Sequence, residues 1–309
     1  MIRFSFRQLT YFVAAAQEGS TLRAAEALNV SQPAVSVAIS DLESTFGQKL
    51  FVRRHAQGMV LTPYGRRKLA EVRQLLVHAN AISGSDEDGS LSGDLELGVF
   101  STLAPAFAPG LMRAFAALHP NVRVHMREEN LDQIQSDLTG GIIELALLYD
   151  LDTINEIERI PLADFQPYVL LREGHPLAKR GKVSLIQLAA EPFVLIDLPH
   201  SREYFLSLFR MAGVMPANLI RCVSIETVRG LVANGFGVSI LITHPYGEHA
   251  YDGRRLTYRP LAENVPPQRA IIGYSSNAPR TRLADAFVAV AQHYFANLPV
   301  SKPPSRNRK

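Results

Sequence analysis

The run from Ser20 to Ile39 admits few folds. Ala24 and Ala25 are small enough to let two helices touch, and Leu28, Val30, Val35 and Ile39 supply the apolar groups such a contact must share. Gly19 stops the preceding segment, Ser20 caps a helix beginning at Thr21, and Asn29-Val30 turns the chain. Ser31, followed by Pro33, opens a further helix to about Phe46. Upstream, Phe4, Leu9, Phe12, Val13 and Ala16 recur at helical spacing. The expected unit is helix, tight turn, helix on a supporting first helix.

Lys49–Arg54 and Met59–Thr62 suit two short strands around a His55–Gly58 turn, which is a wing. Thr62-Pro63 then begins a long helix to about Ile82, with Leu69, Val72, Leu76 and Ala79 along one stripe. Such a stripe needs a partner, and a second copy of the same helix is the simplest one, so these four residues are expected to dimerise the chain. The stretch Ser83–Ser90 is small, polar and acidic and reads as a hinge. The organisation is therefore 1–61 winged helix-turn-helix, 62–82 linker helix, 83–92 hinge, 93–300 α/β domain and 301–309 basic disordered tail.

Charge follows the same division. Residues 1–82 hold 10 basic against 5 acidic residues, whereas 83–300 hold 18 against 24, so the front end is the part suited to a polyanion. One cysteine, Cys222, precludes an internal disulfide and fits a reducing compartment. The apolar run Tyr11–Ala16 is too short for a signal segment, and no run approaches the roughly 18 apolar residues of a membrane span. A cytoplasmic protein is expected.

Beyond the hinge, strand-like blocks (Leu95–Val99, Val122–Met126, Glu144–Leu148) alternate with helical ones near Pro109–Leu118 and Leu131–Leu138, which argues for parallel α/β architecture. A similar order recurs with Pro167–Leu171, Phe193–Ile196, Arg202–Met211, Glu226–Asn234 and Val238–Leu241, and a last helix, Thr281–Ala296, can return to the first half. Two lobes are expected, lobe I about 93–162 and 268–300, lobe II about 163–267.

At Ala24-Ala25, Leu28, Ser31-Gln32-Pro33-Ala34-Val35-Ser36, Leu42-Glu43, Gly47, Leu50-Phe51, Arg53-Arg54 and Leu61-Thr62-Pro63-Tyr64-Gly65 the chain strongly resembles the LysR-type transcriptional regulators. The resemblance implies a winged helix-turn-helix, a two-lobed periplasmic-binding-protein-like effector domain, assembly as a homodimer or homotetramer on promoter DNA, and a small organic effector as partner. Val37 and Ser40 depart from the family, which often has basic residues there, leaving contact strength and base preference at those positions open.

The DNA-contact candidates are Arg23, Ser31, Gln32, Pro33, Ser36 and Ser40 on the helices and Arg53 and Arg54 on the wing, because amides, hydroxyls and guanidinium groups reach base edges and phosphates. Ligands of two-lobed α/β domains lie where strands end and helices begin. That points to Ser101 and Thr102, Asn130, Tyr149, His200, Ser201 and Arg202, and Glu226 and Thr227. Each reads equally as an ordinary turn, cap or surface residue; Arg202 is the expected counter-charge to an anionic effector.

No phosphate loop, nucleophile elbow or dinucleotide fingerprint occurs, and the histidines form no metal-ligand spacing, so neither catalysis, a metal nor a cofactor is expected. A regulator gated by a small anionic effector is the reading carried forward. An effector-independent architectural DNA-binder, or an enzyme fused to a DNA-binding module, are the alternatives.

Overall fold

The computed structural model describes residues 2–54, 58–83, 91–151, 154–244, 247–277 and 279–298. The wing turn 55–57, most of the hinge and the basic tail lie outside these residues.

Three helices, α1 (Phe6–Glu18), α2 (Thr21–Ala27) and α3 (Gln32–Phe46), close around one core. Local chemistry sets their ends: Ser5 and Gln8 form a reciprocal cap on α1, Gly19 leaves it in the left-handed region at φ 61°, and the Ser20 hydroxyl accepts from the Arg23 N–H. Asn29 turns between α2 and α3 at φ 53°, a conformation asparagine tolerates better than most side chains. Phe12, Ala24, Val35, Leu42 and Leu50 are wholly inaccessible.

Strands β1 (Phe51–Arg54) and β2 (Gly58–Leu61) pair antiparallel as the wing. Glu43 of α3 fastens its root, its carboxylate accepting from the N–H groups of Leu50 at 2.9 Å and Phe51 at 3.3 Å. The linker helix α4 (Pro63–Ser83) starts against the same root, and a Cβ on Gly65 would collide with the Leu50 carbonyl oxygen.

The stripe expected to dimerise is used differently. Leu69 and Val72 are 8% and 5% exposed within the winged domain's own core, and Leu76 packs at its edge. Ala79 is half-buried. The apolar stripe of α4 packs against α1 in the same chain, and among the described residues Leu75 and Val77 are its exposed aliphatic side chains. Farther along, α4 meets the first lobe, where the Arg73 guanidinium donates to the Gly140 carbonyl at 3.4 Å.

Lobe I contains β3 (Gly93–Phe100), α5 (Ala104–Leu118), β4 (Val122–Glu129), α6 (Leu131–Thr139), β5 (Leu145–Tyr149) and β6 (Ile157–Phe165). The chain then builds lobe II from β7 (Tyr168–Arg172), α7 (Leu185–Ala189), β8 (Phe193–Ile196), α8 (Pro199–Met211), β9 (Leu219–Cys222), α9 (Ile225–Ala233), β10 (Ser239–Leu241) and β11 (Leu256–Pro260). It returns to lobe I as β12 (Gln268–Ser275) and α10 (Arg282–Ala296).

The lobe I sheet has the order β4-β3-β5-β12-β6. It is mixed rather than parallel: β3 runs parallel to β4 and β5, joined by helical crossovers, while β12 is antiparallel to both β5 and β6. The departure has a topological cause, since β6 and β12 are the segments that leave and re-enter the lobe. Because β6 runs on to Phe165, the passage into lobe II falls after that residue and not at 162. In lobe II, β10-β7-β11 is antiparallel, and the parallel pair β8-β9 adjoins β10 through the Val194 N–H and the Val238 carbonyl at 2.8 Å. Helix α5 begins at Ala104, five residues ahead of the expected Pro109, which sits inside the helix. That earlier start places Thr102 directly before the N-cap residue, Leu103. Each lobe has its own apolar core, centred on Phe115 and Phe287 in lobe I and on Phe193 and Phe209 in lobe II.

Candidate DNA interface and effector cleft

The outer surface of α3 carries one candidate site. Ser31 caps the helix through its carbonyl, which accepts from the Ala34 N–H at 3.0 Å, while its exposed hydroxyl makes no cap bond. Gln32, Pro33 and Ser40 are exposed, Ser36 is half-buried, and Val37 is 59% exposed between them. The Gln32 side-chain amide donates to Thr21 Oγ1 at 3.3 Å, tying the start of α3 to the start of α2. The Arg23 guanidinium donates to the Glu18 carbonyl, which holds its charge against the C-terminal end of α1. The side chains of Arg53 and Arg54 lie outside the described residues.

The second candidate site lies between the lobes. A cavity of about 20 Å³, room for about one water, is walled by Thr102 and Tyr149 from lobe I and by Ser201, Tyr204, Ile225 and Thr243 from lobe II. Thr102 and Tyr149 are 8% and 3% exposed, and the Thr102 Oγ1 and Tyr149 Oη atoms are buried with no hydrogen-bond partner. A buried hydroxyl without a partner costs free energy, on the order of 1–3 kcal/mol. Burial raises the pKa of Tyr149 well above the usual phenol value and pushes that of Tyr204 up to about 12, so both stay neutral donors.

Helix ends add a polarity that no side chain at the cavity supplies. Ser, Thr or Asn caps with side-chain bonds close α1, α2, α6, α7, α9 and α10, but α5 and α8 have Leu103 and Leu198 at the N-cap, which cannot bond the first-turn N–H groups. These two uncapped ends carry partial positive charge beside Thr102 and Ser201. The lobes also touch directly: Thr243 Oγ1 donates to the Thr102 carbonyl at 3.4 Å, and His200 Nε2 lies 2.9 Å from Asp132 Oδ1.

Of the nine effector candidates, the structure brings Thr102, Tyr149 and Ser201 together at the cavity. Ser101 sits half-buried beside it, its N–H bonded to the Glu129 carbonyl, and His200 bridges the lobes. The others are placed differently. Asn130 is exposed and caps α6, accepting from the Gln133 N–H at 2.9 Å. Arg202, the expected counter-charge, spends its guanidinium on Asp197 at 2.7 Å. Glu226 pairs with the buried Arg229 at 3.2 Å, and Thr227 is exposed. Tyr204 and Thr243 were not among the candidates, although both were within reach: Tyr204 follows Ser201 by one helical turn, and Thr243 lies just past the end of β10.

Among the described residues no group of three or more His, Cys, Asp or Glu is placed to hold a metal, and no helix is long and apolar enough to cross a membrane.

Two family models cover the chain: the bacterial regulatory helix-turn-helix protein of the lysR family matches residues 6–66, and the LysR substrate binding domain matches residues 88–296. The HTH-type transcriptional regulator CfxR of Cupriavidus necator is 34% identical over 258 residues, 79% of this chain and 77% of that protein. HinK, a LysR family transcriptional regulator from Pseudomonas aeruginosa, is similar in structure with a TM-score of 0.66 at 36% identity, over 96% of this chain and 100% of that one. A full-length OxyR variant, also from Pseudomonas aeruginosa, gives a TM-score of 0.76 at 25% identity, over 94% and 98% of the two chains.

Proposed function

The chain belongs to the LysR family of DNA-binding transcriptional regulators, and from that premise we propose that a small anionic effector, held between the two lobes, sets how it binds its promoter. It is a regulator and not an enzyme. In this reading the exposed groups of α3, with Arg23 and the wing arginines Arg53 and Arg54, hold promoter DNA in the cytoplasm, and the chain works as a homotetramer.

One observation carries the effector half. Two buried hydroxyls without partners, Thr102 Oγ1 and Tyr149 Oη, border one interlobe cavity next to two uncapped helix N-termini. A carboxylate seated there satisfies the hydroxyls and meets the positive helix ends, so an anion needs no arginine at the site. The cavity is too small for such a molecule in the lobe arrangement described, so binding is tied to lobe movement. A ligand that favours one lobe arrangement thereby biases the geometry of the attached linker helices.

The test is a thermal-shift screen of the whole protein against carboxylates, aromatic acids, amino acids and nucleobases. A concentration-dependent rise in Tm that Thr102→Val abolishes is expected. A rise that survives Thr102→Val and Tyr149→Phe would put the effector elsewhere, and no rise across the panel would favour an effector-independent DNA-binder.

A further inference from the structure

We propose that Val37 reads a thymine methyl group in the major groove, making base recognition at the centre of α3 apolar rather than ionic. This rests on the DNA-binding reading above. A single exposed aliphatic side chain means nothing by itself; its position on the helix is what matters. Val37 is 59% exposed, whereas the other large aliphatic residues of α3, Val35, Ile39 and Leu42, are buried in the domain core. Pro33 and Ser40 stand four before and three after it, so the three residues share the exposed face of the helix, with the half-buried Ser36 at its edge.

That face is electrically neutral. From Gln32 to Ser40 there is no charged residue. The acids that follow are engaged elsewhere: Asp41 accepts from the Gln8 amide at 3.4 Å, and Glu43 binds Lys49 and the root of the wing. Described basic side chains stand off this face, with Arg23 on α2, Lys49 beside the wing, and Arg66 and Arg67 on α4. Their charges suit phosphates, which position a protein on DNA without reading its sequence.

The bases opposite α3 therefore meet an amide, hydroxyls and the Val37 methyls. Guanine is read best by Arg or Lys, and neither is present on this face; the Gln32 amide suits adenine. Thymine alone among the four bases presents a methyl group in the major groove, and burying it against an isopropyl group removes apolar surface from water on both partners.

The experiment uses the full-length protein. Binding sites are selected from random duplex DNA, and each thymine of the selected half-site is then replaced singly by deoxyuridine, which removes only the methyl and keeps the pairing. At one thymine per half-site, wild type should bind about fourfold more weakly, the loss expected for one methyl group. Val37→Ala should bind the thymine duplex more weakly by a similar factor and be indifferent to the replacement, while Val37→Thr, which keeps one γ-methyl, should retain part of the discrimination. Since Val37 is exposed, Val37→Ala should leave Tm unchanged. Wild type indifferent to every replacement, or Val37→Ala still fully sensitive, overturns the proposal while leaving DNA recognition standing. Selection that enriches no sequence overturns sequence-specific recognition together with it.

Discussion

His200 and Asp132 join the two lobes, imidazole Nε2 to carboxylate Oδ1 at 2.9 Å. Each residue lies in the first turn of its helix, His200 in α8 and Asp132 in α6. Their bond ties the lobe that carries Thr102 to the lobe that carries Ser201. Asp132 is 68% exposed at its side chain, so the bond is screened and contributes less than about 1 kcal/mol. Asp132→Ala should accordingly leave Tm within about 2 °C while accelerating amide exchange at residues 101–103 and at 198, 200 and 201. Unchanged exchange there would remove the bond from the control of closure.

Thr102→Val and Tyr149→Phe separate a ligand role from a structural one. A hydroxyl that supports the fold costs stability when removed, whereas removing one buried without a partner is neutral or returns part of its burial cost of about 1–3 kcal/mol. Both variants should match or exceed the wild-type Tm without effector and lose the effector-induced rise. A clear fall in the ligand-free Tm would mean that these hydroxyls have partners in solution.

The two faces of α4 should behave differently on mutation. Leu69→Ala empties part of a packed core and should destabilise the winged domain by about 2–5 kcal/mol. Leu75→Asp alters a side chain that is 41% exposed and should spare Tm while weakening self-association, measured by sedimentation. If Leu75→Asp leaves association intact, the partner meets another surface.

Acid should loosen lobe I through two surface carboxylates. Hydrogen bonds from His125 and then Arg123 lower the pKa of Asp94, and the bond from Arg269 lowers that of Asp164. Both folded-state values lie below the unfolded ones, so the stability they contribute is present above the ordinary carboxylate range and is lost as pH falls through the folded values, below about 4. The groups are exposed and screened, so the effect is small and should shrink further in high salt. Asp94→Asn and Asp164→Asn should each flatten the acid limb of a Tm-against-pH curve; an unchanged slope in both would assign acid sensitivity to other groups.

Much of the architecture was legible in the residues because its causes are local. Gly19, Ser20, Asn29, Ser31 and Thr281 act on backbone within four residues, so helix ends could be read directly. The periods of 2 and 3.6 separated strands from helices, and the polar stretch after Ser83 divided the chain. The same rules reached Thr102, Tyr149 and Ser201, because loops after strands follow from element order alone.

The sequence by itself determined the kind of elements, their order and the two-part plan, since hydrogen bonding, capping and apolar period act within a few residues. Only the tertiary structure decided which face of each element meets which neighbour. Leu69 and Val72 lie on an apolar stripe whether the partner is α1 or a second copy, and the fold chose α1. Arg202 stands at a strand-end position as suitable as that of Ser201, but Asp197 is close enough to take its charge. Such outcomes depend on the rotation of each helix about its axis and on contacts between residues far apart in the chain, which no local pattern encodes.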